Sequence, residues 1–285
     1  MPQPVELCFF MSPELEFQIR ERTLSHFFKG PGRWKTIYGG AGWYPSLVHR
    51  RLRQIKRLLA ELNLPAGARA LDAGCGCGIY TEHLLRCGLD VSACDASDEM
   101  LAETLARVGD VKGSLDLRAA LVEALPYPDG VFDVVLCIGV LGYLADRQAA
   151  AAELARVTRP GGHVIIAYWN SHTPLRRLRS ATGDLLHRLG LKGPRPPALG
   201  PNASGVVHHR LSPRDVMGLF APRGLVLRRH VSCGFSPRLL QQVCPRPAVW
   251  WSRAAELTIG SLPGFSQMGE FGIQVWQKPR QPLAR

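Results

Sequence analysis

The sequence predicts an α/β fold in which a mostly parallel sheet carries helices on both faces. Apolar runs near 69–73, 90–95, 117–122, 132–138 and 161–168 alternate with helix-patterned stretches, the rhythm of right-handed crossovers between parallel strands. The first run leads into Asp72-Ala73-Gly74-Cys75-Gly76-Cys77-Gly78, an acid and three alternate glycines where a buried strand turns into a helix. The second run ends on Asp95, at the strand end where ligands of open α/β sheets gather.

From the N-terminus, Ser12-Pro13 reads as an N-cap followed by a tolerated proline, opening a helix over 12–29. A glycine-rich aromatic segment with Trp34, Tyr38, Trp43 and Tyr44 follows. Pro45 then starts a second helix, with Val48, Leu52, Ile55, Leu59 and Leu62 at helical spacing and Arg50, Arg53 and Arg57 off that stripe. Residues 1–64 thus form an expected helical cap over the mouth of a ligand-binding domain at 65–285. Past the fourth strand, Asp146 is an N-cap for an alanine-rich helix carrying Leu154 and Val157, and Arg159-Pro160-Gly161-Gly162 is read as its end. Residues 171–210 break the rhythm with a basic helix candidate and the run Gly193-Pro194-Arg195-Pro196-Pro197, an insertion suited to a lid or a substrate-selecting loop. A short helix after Ser212-Pro213, a strand over 225–231, an insert at about 235–268 and a strand over 272–277 complete the chain.

A chain of 285 residues, 46% hydrophobic and 20% charged, can bury a full core and has the composition of a soluble globular protein. Only the short apolar run Leu7–Met11 lies near the start, without a basic leader, so a cytoplasmic protein with no membrane span is expected. The eight cysteines are scattered through expected strands and loops and read as reduced apolar residues. Cys75 and Cys77 have poor spacing for zinc, and no metal is expected. The net charge of +12 gathers in Arg50, Arg51, Arg53, Lys56 and Arg57 and again between Arg176 and Arg195. Each cluster suits an anionic partner or a solvated helix face.

Glycines without a Cβ let main-chain N–H groups approach a ligand, and a carboxylate at Asp95 can accept two hydrogen bonds from a ribose diol. Position 79, where a nicotinamide fingerprint wants its third glycine, is Ile79, and Asp72 would repel a pyrophosphate. The ligand that fits is adenosine-bearing, free of phosphate and cationic.

At this point the chain resembles the class I S-adenosylmethionine-dependent methyltransferases. The likeness runs from about 65 to 170 and rests on LDAGCGCG, VSACDAS, LVEALPYPDGVFDVVLCIGV and ELARVTRPGGHVIIAYW, in family order and spacing. It implies a Rossmann-like, seven-stranded, mostly parallel sheet closed by an antiparallel hairpin, with insertions after strand 5 and between the last two strands. It implies S-adenosyl-L-methionine as cofactor. Gly74, Cys75, Gly76 and Gly78 would set backbone against its methionine part, Asp72 would lie near its ammonium or sulfonium, and Asp95 with Ala96 would hold the ribose. Met100 would lie near the adenine, or would pack a helix face. The family's first acid before alanine-glutamate is here Leu121, which leaves the Val122 backbone as the adenine contact, with Glu123 beside it or solvated. Ile138 and the loop after it would line the methionine end.

Residues 138–143 (IGVLGY) lack the motif of enzymes acting on exocyclic nitrogens of DNA bases, and Cys244-Pro245 has the reverse order of a carbon-5 pyrimidine nucleophile motif. Alignment of nucleophile, carbon and sulfur supplies much of a methyl-transfer rate, so no catalytic residue is assigned. His49, His172, His208 and His209 lie in segments that could supply a base. The expected activity is methylation of a small-molecule or lipid-like acceptor, one that an anionic group would suit. RNA methylation, and a structural or non-transfer use of the cofactor such as cyclisation, stand as alternatives.

Overall fold

In a computed structural model that describes residues 43–171, 173, 208–234 and 269–280, the alternation of the sequence becomes one seven-stranded sheet. Its strands are β1 (Arg69–Ala73), β2 (Asp90–Asp95), β3 (Leu115–Ala119), β4 (Phe132–Ile138), β5 (Thr158–Trp169), β6 (Val226–Cys233) and β7 (Phe271–Gln277). They lie in the order β3-β2-β1-β4-β5-β7-β6. β1 to β5 pair in parallel, and β7 runs antiparallel to both β5 and β6, forming the expected closing hairpin. Strand order reverses between β1 and β4, which opens a crevice at their carboxyl ends.

The helices are α1 (Trp43–Glu61), α2 (Ile79–Arg86), α3 (Asp98–Val108), α4 (Arg147–Val157) and α5 (Pro213–Phe220). Alternate residues of each strand feed two cores. On one face Leu71, Val135 and Ile166 pack with Leu154 of α4 and Phe220 of α5. On the other, Ala70, Val134 and Ile165 pack with Ile55 of α1, Leu84 of α2 and Val108 of α3. Burial on both faces explains why the central strands read as unbroken apolar runs. Caps fix the helix starts: Asp146 accepts from Ala149 N, Ser97 from Met100 N, and Ser212 with Asp215 forms a reciprocal capping box.

β1, β2 and β4 fall where the sequence places them, whereas other elements shift. β3 begins and ends earlier than 117–122, because it follows β2 from Leu115 to Ala119 and the chain then turns back through a Leu121–Ala124 bridge. The turn expected at Arg159-Pro160-Gly161-Gly162 lies inside β5 as an irregularity, where Phe132 pairs Thr158 but Val134 pairs His163. Proline without an N–H and Gly161 at φ +84° suit a bulge as well as a turn. Helix α1 begins at Trp43, ahead of Pro45, which occupies its first turn. β6 covers Val226–Cys233 rather than 225–231, and β7 gains Phe271. The expected helix at 12–29, most of the 171–210 insertion and the insert at 235–268 lie outside the described residues. No helix among the described residues is long and apolar enough to cross a membrane.

The β3–β4 connection, which carries Val122 and Glu123, is pinned to α4. Arg156 donates to the carbonyls of Leu125 (3.0 Å) and Tyr127 (2.8 Å) and to Asp129 (2.7 Å). Glu153, itself bonded to Arg156, accepts from Leu125 N at 2.8 Å. Arg156→Met keeps the aliphatic stem but strands these acceptors, and should lower stability by about 1–3 kcal/mol. Urea unfolding checks this; a midpoint equal to that of the parent chain would show that the clamp carries no stability.

Candidate functional site

The crevice is floored by the turn from β1 into α2. The N–H groups of Gly74 and Cys75 both donate to the Cys94 carbonyl, at 2.8 and 2.9 Å, locking the turn to the end of β2. All three glycines take positive φ, but for different neighbours. A Cβ on Gly74 would collide with the Val140 side chain, and one on Gly78 would lie 2.9 Å from the Thr104 Cα. A Cβ on Gly76 would meet nothing within 4 Å. Gly74 and Gly78 therefore allow close packing of protein on protein, and Gly76 underlies an open cradle.

Asp95 braces this cradle. Its two carboxylate oxygens accept from Gly76 N (2.9 Å) and Ser97 N (3.0 Å), and the Ala96 N–H adds a further contact. Burial raises its carboxyl above the ordinary range against the pull of those three donors. Of the four lone pairs on the carboxylate these three donors leave one free, so a ribose diol would have to share or displace the Ala96 contact.

Asp72, only 1% exposed, accepts from Thr81 Oγ1 at 2.7 Å and from the Thr81 N–H. Gly78 heads α2 without a side chain to cap it, so Asp72 satisfies an orphan amide of the first turn from the neighbouring strand. Burial pushes its carboxyl up to about 6, with the Asp95 charge acting the same way. Two carboxylates that feel each other set a negative field across the loop, which attracts a cation and repels a phosphate.

A third charge comes from α1. Arg51 is 8% exposed and donates to Tyr80 Oη at 3.2 Å, with its guanidinium 4.7 Å from the centre of the Phe271 ring. Its Nη1 lies 3.0 Å from where a Gly139 Cβ would stand, so the glycine after β4 makes room for it. Tyr80 feels both Arg51 and Asp72, which places a buried cation and a buried anion in one neighbourhood. Sequence reasoning missed Arg51 by grouping it with a basic run whose two readings were an anionic partner or a solvated face. Arg50, at 3% exposure, is buried as well, so the solvated reading fails for both. The signal was present: Arg51 is three residues from Val48 and four from Ile55, on the buried stripe itself.

The remaining candidates divide. Met100 is buried in the first turn of α3, with its N–H on Ser97 Oγ. Val122 is buried, and the hydrogen bond of its turn runs from Ala124 N to Leu121 O, leaving the Val122 N–H out of it; Glu123 beside it is half-buried. Ala96 is exposed next to Asp95, and Ile138 is the buried last residue of β4. Cys75 sits in the floor with its thiol 3.6 Å from Thr104 Oγ1, and burial plus the two acids push it far from ionisation. It and Cys77, Cys87, Cys94 and Cys137 are free thiols.

Of the four histidines, the structure brings two to the loop after β4. The His209 N–H donates to the Gly142 carbonyl at 2.7 Å, and the His208 ring stands edge-on to Tyr143 and Trp169. Burial, with Arg210 and His209 nearby, pulls His208 down to about 4, so its imidazole is neutral at neutral pH. His49 instead lines a cleft between α1 and α2, and His172 lies outside the described residues.

An S-adenosylmethionine molecule suits these groups: an open cradle over Gly76, an acid with an acceptor site to spare at the ribose end, and opposite buried charges for an amino-acid zwitterion. Comparison with known proteins bears on the same region. Residues 71–166 match the family model of a methyltransferase domain. Over 137 residues the chain is 37% identical to a ubiquinone biosynthesis O-methyltransferase of Xanthomonas oryzae, covering 47% of this chain and 56% of that one. Over 113 residues it is 36% identical to an uncharacterized protein of Mycobacterium tuberculosis, covering 39% of this chain and 41% of that one. The chain thus spans about half the length of the curated relatives it matches. Among solved structures, magnesium protoporphyrin IX methyltransferase from Synechocystis with bound SAH aligns with TM-score 0.60 at 16% identity, covering 91% of this chain and 99% of that one. The [4+2]-cyclase SpnF aligns with TM-score 0.59 at 18% identity, covering 92% and 97%. These structures share the fold.

The raised carboxyl of Asp72 has a measurable sign. From its ordinary value of 3.8 up to about 6, the unfolded chain loses this proton while the folded chain keeps it. Stability therefore falls as pH rises through that window and levels off above it. Asp72→Asn keeps an acceptor for Thr81 and removes the titration, so it should gain stability relative to the parent chain between pH 4 and 7, on the order of 3 kcal/mol. Urea unfolding at the two pH values decides it; a constant difference between the two chains contradicts the assignment.

Proposed function

With residues 71–166 a domain of the class I S-adenosylmethionine-dependent methyltransferases, we propose that the chain transfers a methyl group from that cofactor to a small-molecule or lipid-like acceptor. The observation that carries the proposal is the open cradle over Gly76, set between the buried Asp72 and the half-buried Asp95. S-adenosylmethionine supplies a methyl group already made electrophilic by its sulfonium. The chain's own residues hold and orient. Asp95 accepts the ribose hydroxyls while keeping its bonds to Gly76 and Ser97. Arg51 takes the carboxylate of the methionine part, and Asp72 offsets its positive charge across the Thr81 hydroxyl. The Val122 N–H serves the adenine edge. Where the acceptor is a hydroxyl, the neutral imidazole of His208 accepts its hydrogen bond beside the loop after β4.

The 37% identity to a protein named as an O-methyltransferase supports a small acceptor. Methylation of RNA has less support, since Arg50 and Arg51 of the first basic run are buried and Arg57 pairs with Glu61. Cyclisation draws only on a shared fold, which does not carry activity. Incubating the purified chain with methyl-labelled cofactor and fractionated cell extract tests the activity: a labelled small molecule is expected, and label confined to RNA would overturn the acceptor class.

Two variants test the cofactor contacts. Asp95→Ala removes two charge-assisted hydrogen bonds to ribose and should weaken S-adenosylhomocysteine binding by on the order of 2–4 kcal/mol in a chain that stays folded by circular dichroism. An unchanged dissociation constant would put the ribose elsewhere. Arg51→Met should weaken S-adenosylhomocysteine at least about tenfold while sparing methylthioadenosine, which has no carboxylate. Equal losses for both ligands would show that Arg51 only shapes the pocket.

A further inference from the structure

Away from the cradle, a cleft with about 240 Å³ of space for water lies between α1 and α2 and carries an excess of positive charge. Lys56 from α1, Arg86 from α2 and Arg107 from α3 line it, together with the imidazoles of His49 and His83. One carboxylate stands against these three cations. It is Glu82, and both arginines share it: Arg86 donates to Oε1 at 2.9 and 3.0 Å, and Arg107 approaches Oε2 at 3.6 Å. Lys56 makes no hydrogen bond or ion pair among the described residues, and partial burial, followed by the Lys56 charge, lowers the titration of His83 below its ordinary value. Three cations against one shared carboxylate leave a net positive charge on a concave surface. Multiple donors of one sign around a small space match a compact, multiply charged anion better than a single carboxylate.

We propose that this cleft is a binding site for a small, soluble phosphate-bearing ligand, distinct from the cofactor cradle. Its volume of about 240 Å³ suits a diphosphate or a phosphate monoester. Arg107 also donates from Nε to the Cys77 carbonyl at 2.6 Å, so an anion drawn to Arg107 acts on a residue that is part of the cofactor loop.

Calorimetric titration of the full chain with sodium pyrophosphate at low ionic strength tests this, with S-adenosylhomocysteine present at saturation to block the cradle. Saturable binding is expected, weakened at least about tenfold by Lys56→Glu and by less than about twofold by Lys112→Glu, which makes the same charge change outside the cleft. On binding, the His83 ring should titrate at higher pH by NMR, since a neighbouring anion favours imidazolium. Three results would overturn the proposal: no saturable binding, equal weakening by the two lysine variants, or pyrophosphate binding abolished by S-adenosylhomocysteine. Lys56-dependent association with phosphatidylglycerol–phosphatidylcholine vesicles, without pyrophosphate binding, would overturn the soluble ligand in favour of a membrane surface.

Discussion

The site depends on one carbonyl. By accepting from both Gly74 and Cys75, the Cys94 oxygen ties the turn after β1 to the end of β2, and the parallel register Ala73–Cys94 holds that oxygen in place. Once the turn is fixed, Gly76 N points at Asp95, and Asp72 is left beneath the first turn of α2. Loosening this node would cost the two acids their positions together. Burial in a dry floor is unfavourable for each carboxylate alone, and the backbone donors of Gly76, Ser97 and Thr81 offset part of that cost. The structure thus uses hydrogen-bond donors to keep negative charge at the proposed cofactor site.

The second dependence is on glycine as absence. Gly74 admits Val140, Gly78 admits Thr104, and Gly139 admits the guanidinium of Arg51, so three segments close on the crevice without a gap. Substitution at any of these would push apart elements that the sheet holds at fixed spacing, in addition to straining a positive φ. Of the three glycines in the turn after β1 only Gly76 meets no neighbour, and that difference separates the packing glycines from the one beneath the proposed cofactor cradle. A glycine motif in sequence cannot make this distinction, because the neighbour that decides it comes from a distant part of the chain.

Much of the architecture was legible because burial on both faces writes long apolar runs. β1, β2 and β4 carry such runs and were placed to the residue, and Asp146 marked the start of α4. β3 was misplaced because it is an edge strand whose residues are half-buried or exposed, so its pattern is weak. β5 was shortened because Pro160 and two glycines read as a turn, while the fold absorbs them as a bulge. Asp72 and Asp95 flank the glycine turn as their offset in the sequence placed them, but the helix-capping task of Asp72 was not legible, since it needs the geometry of Thr81. Arg51 was hidden by its charge: a basic residue on an apolar stripe was weighed with its exposed neighbours rather than with Val48 and Ile55.

The central claim is that the crevice is built for a cationic adenosine ligand and against a phosphate-bearing one. Competitive calorimetry on the intact chain, titrating S-adenosylmethionine into protein preincubated with excess NAD, tests it most directly. The account predicts saturable one-to-one binding whose affinity is unaffected by NAD. Displacement by NAD, or the lack of any heat from S-adenosylmethionine, would contradict it.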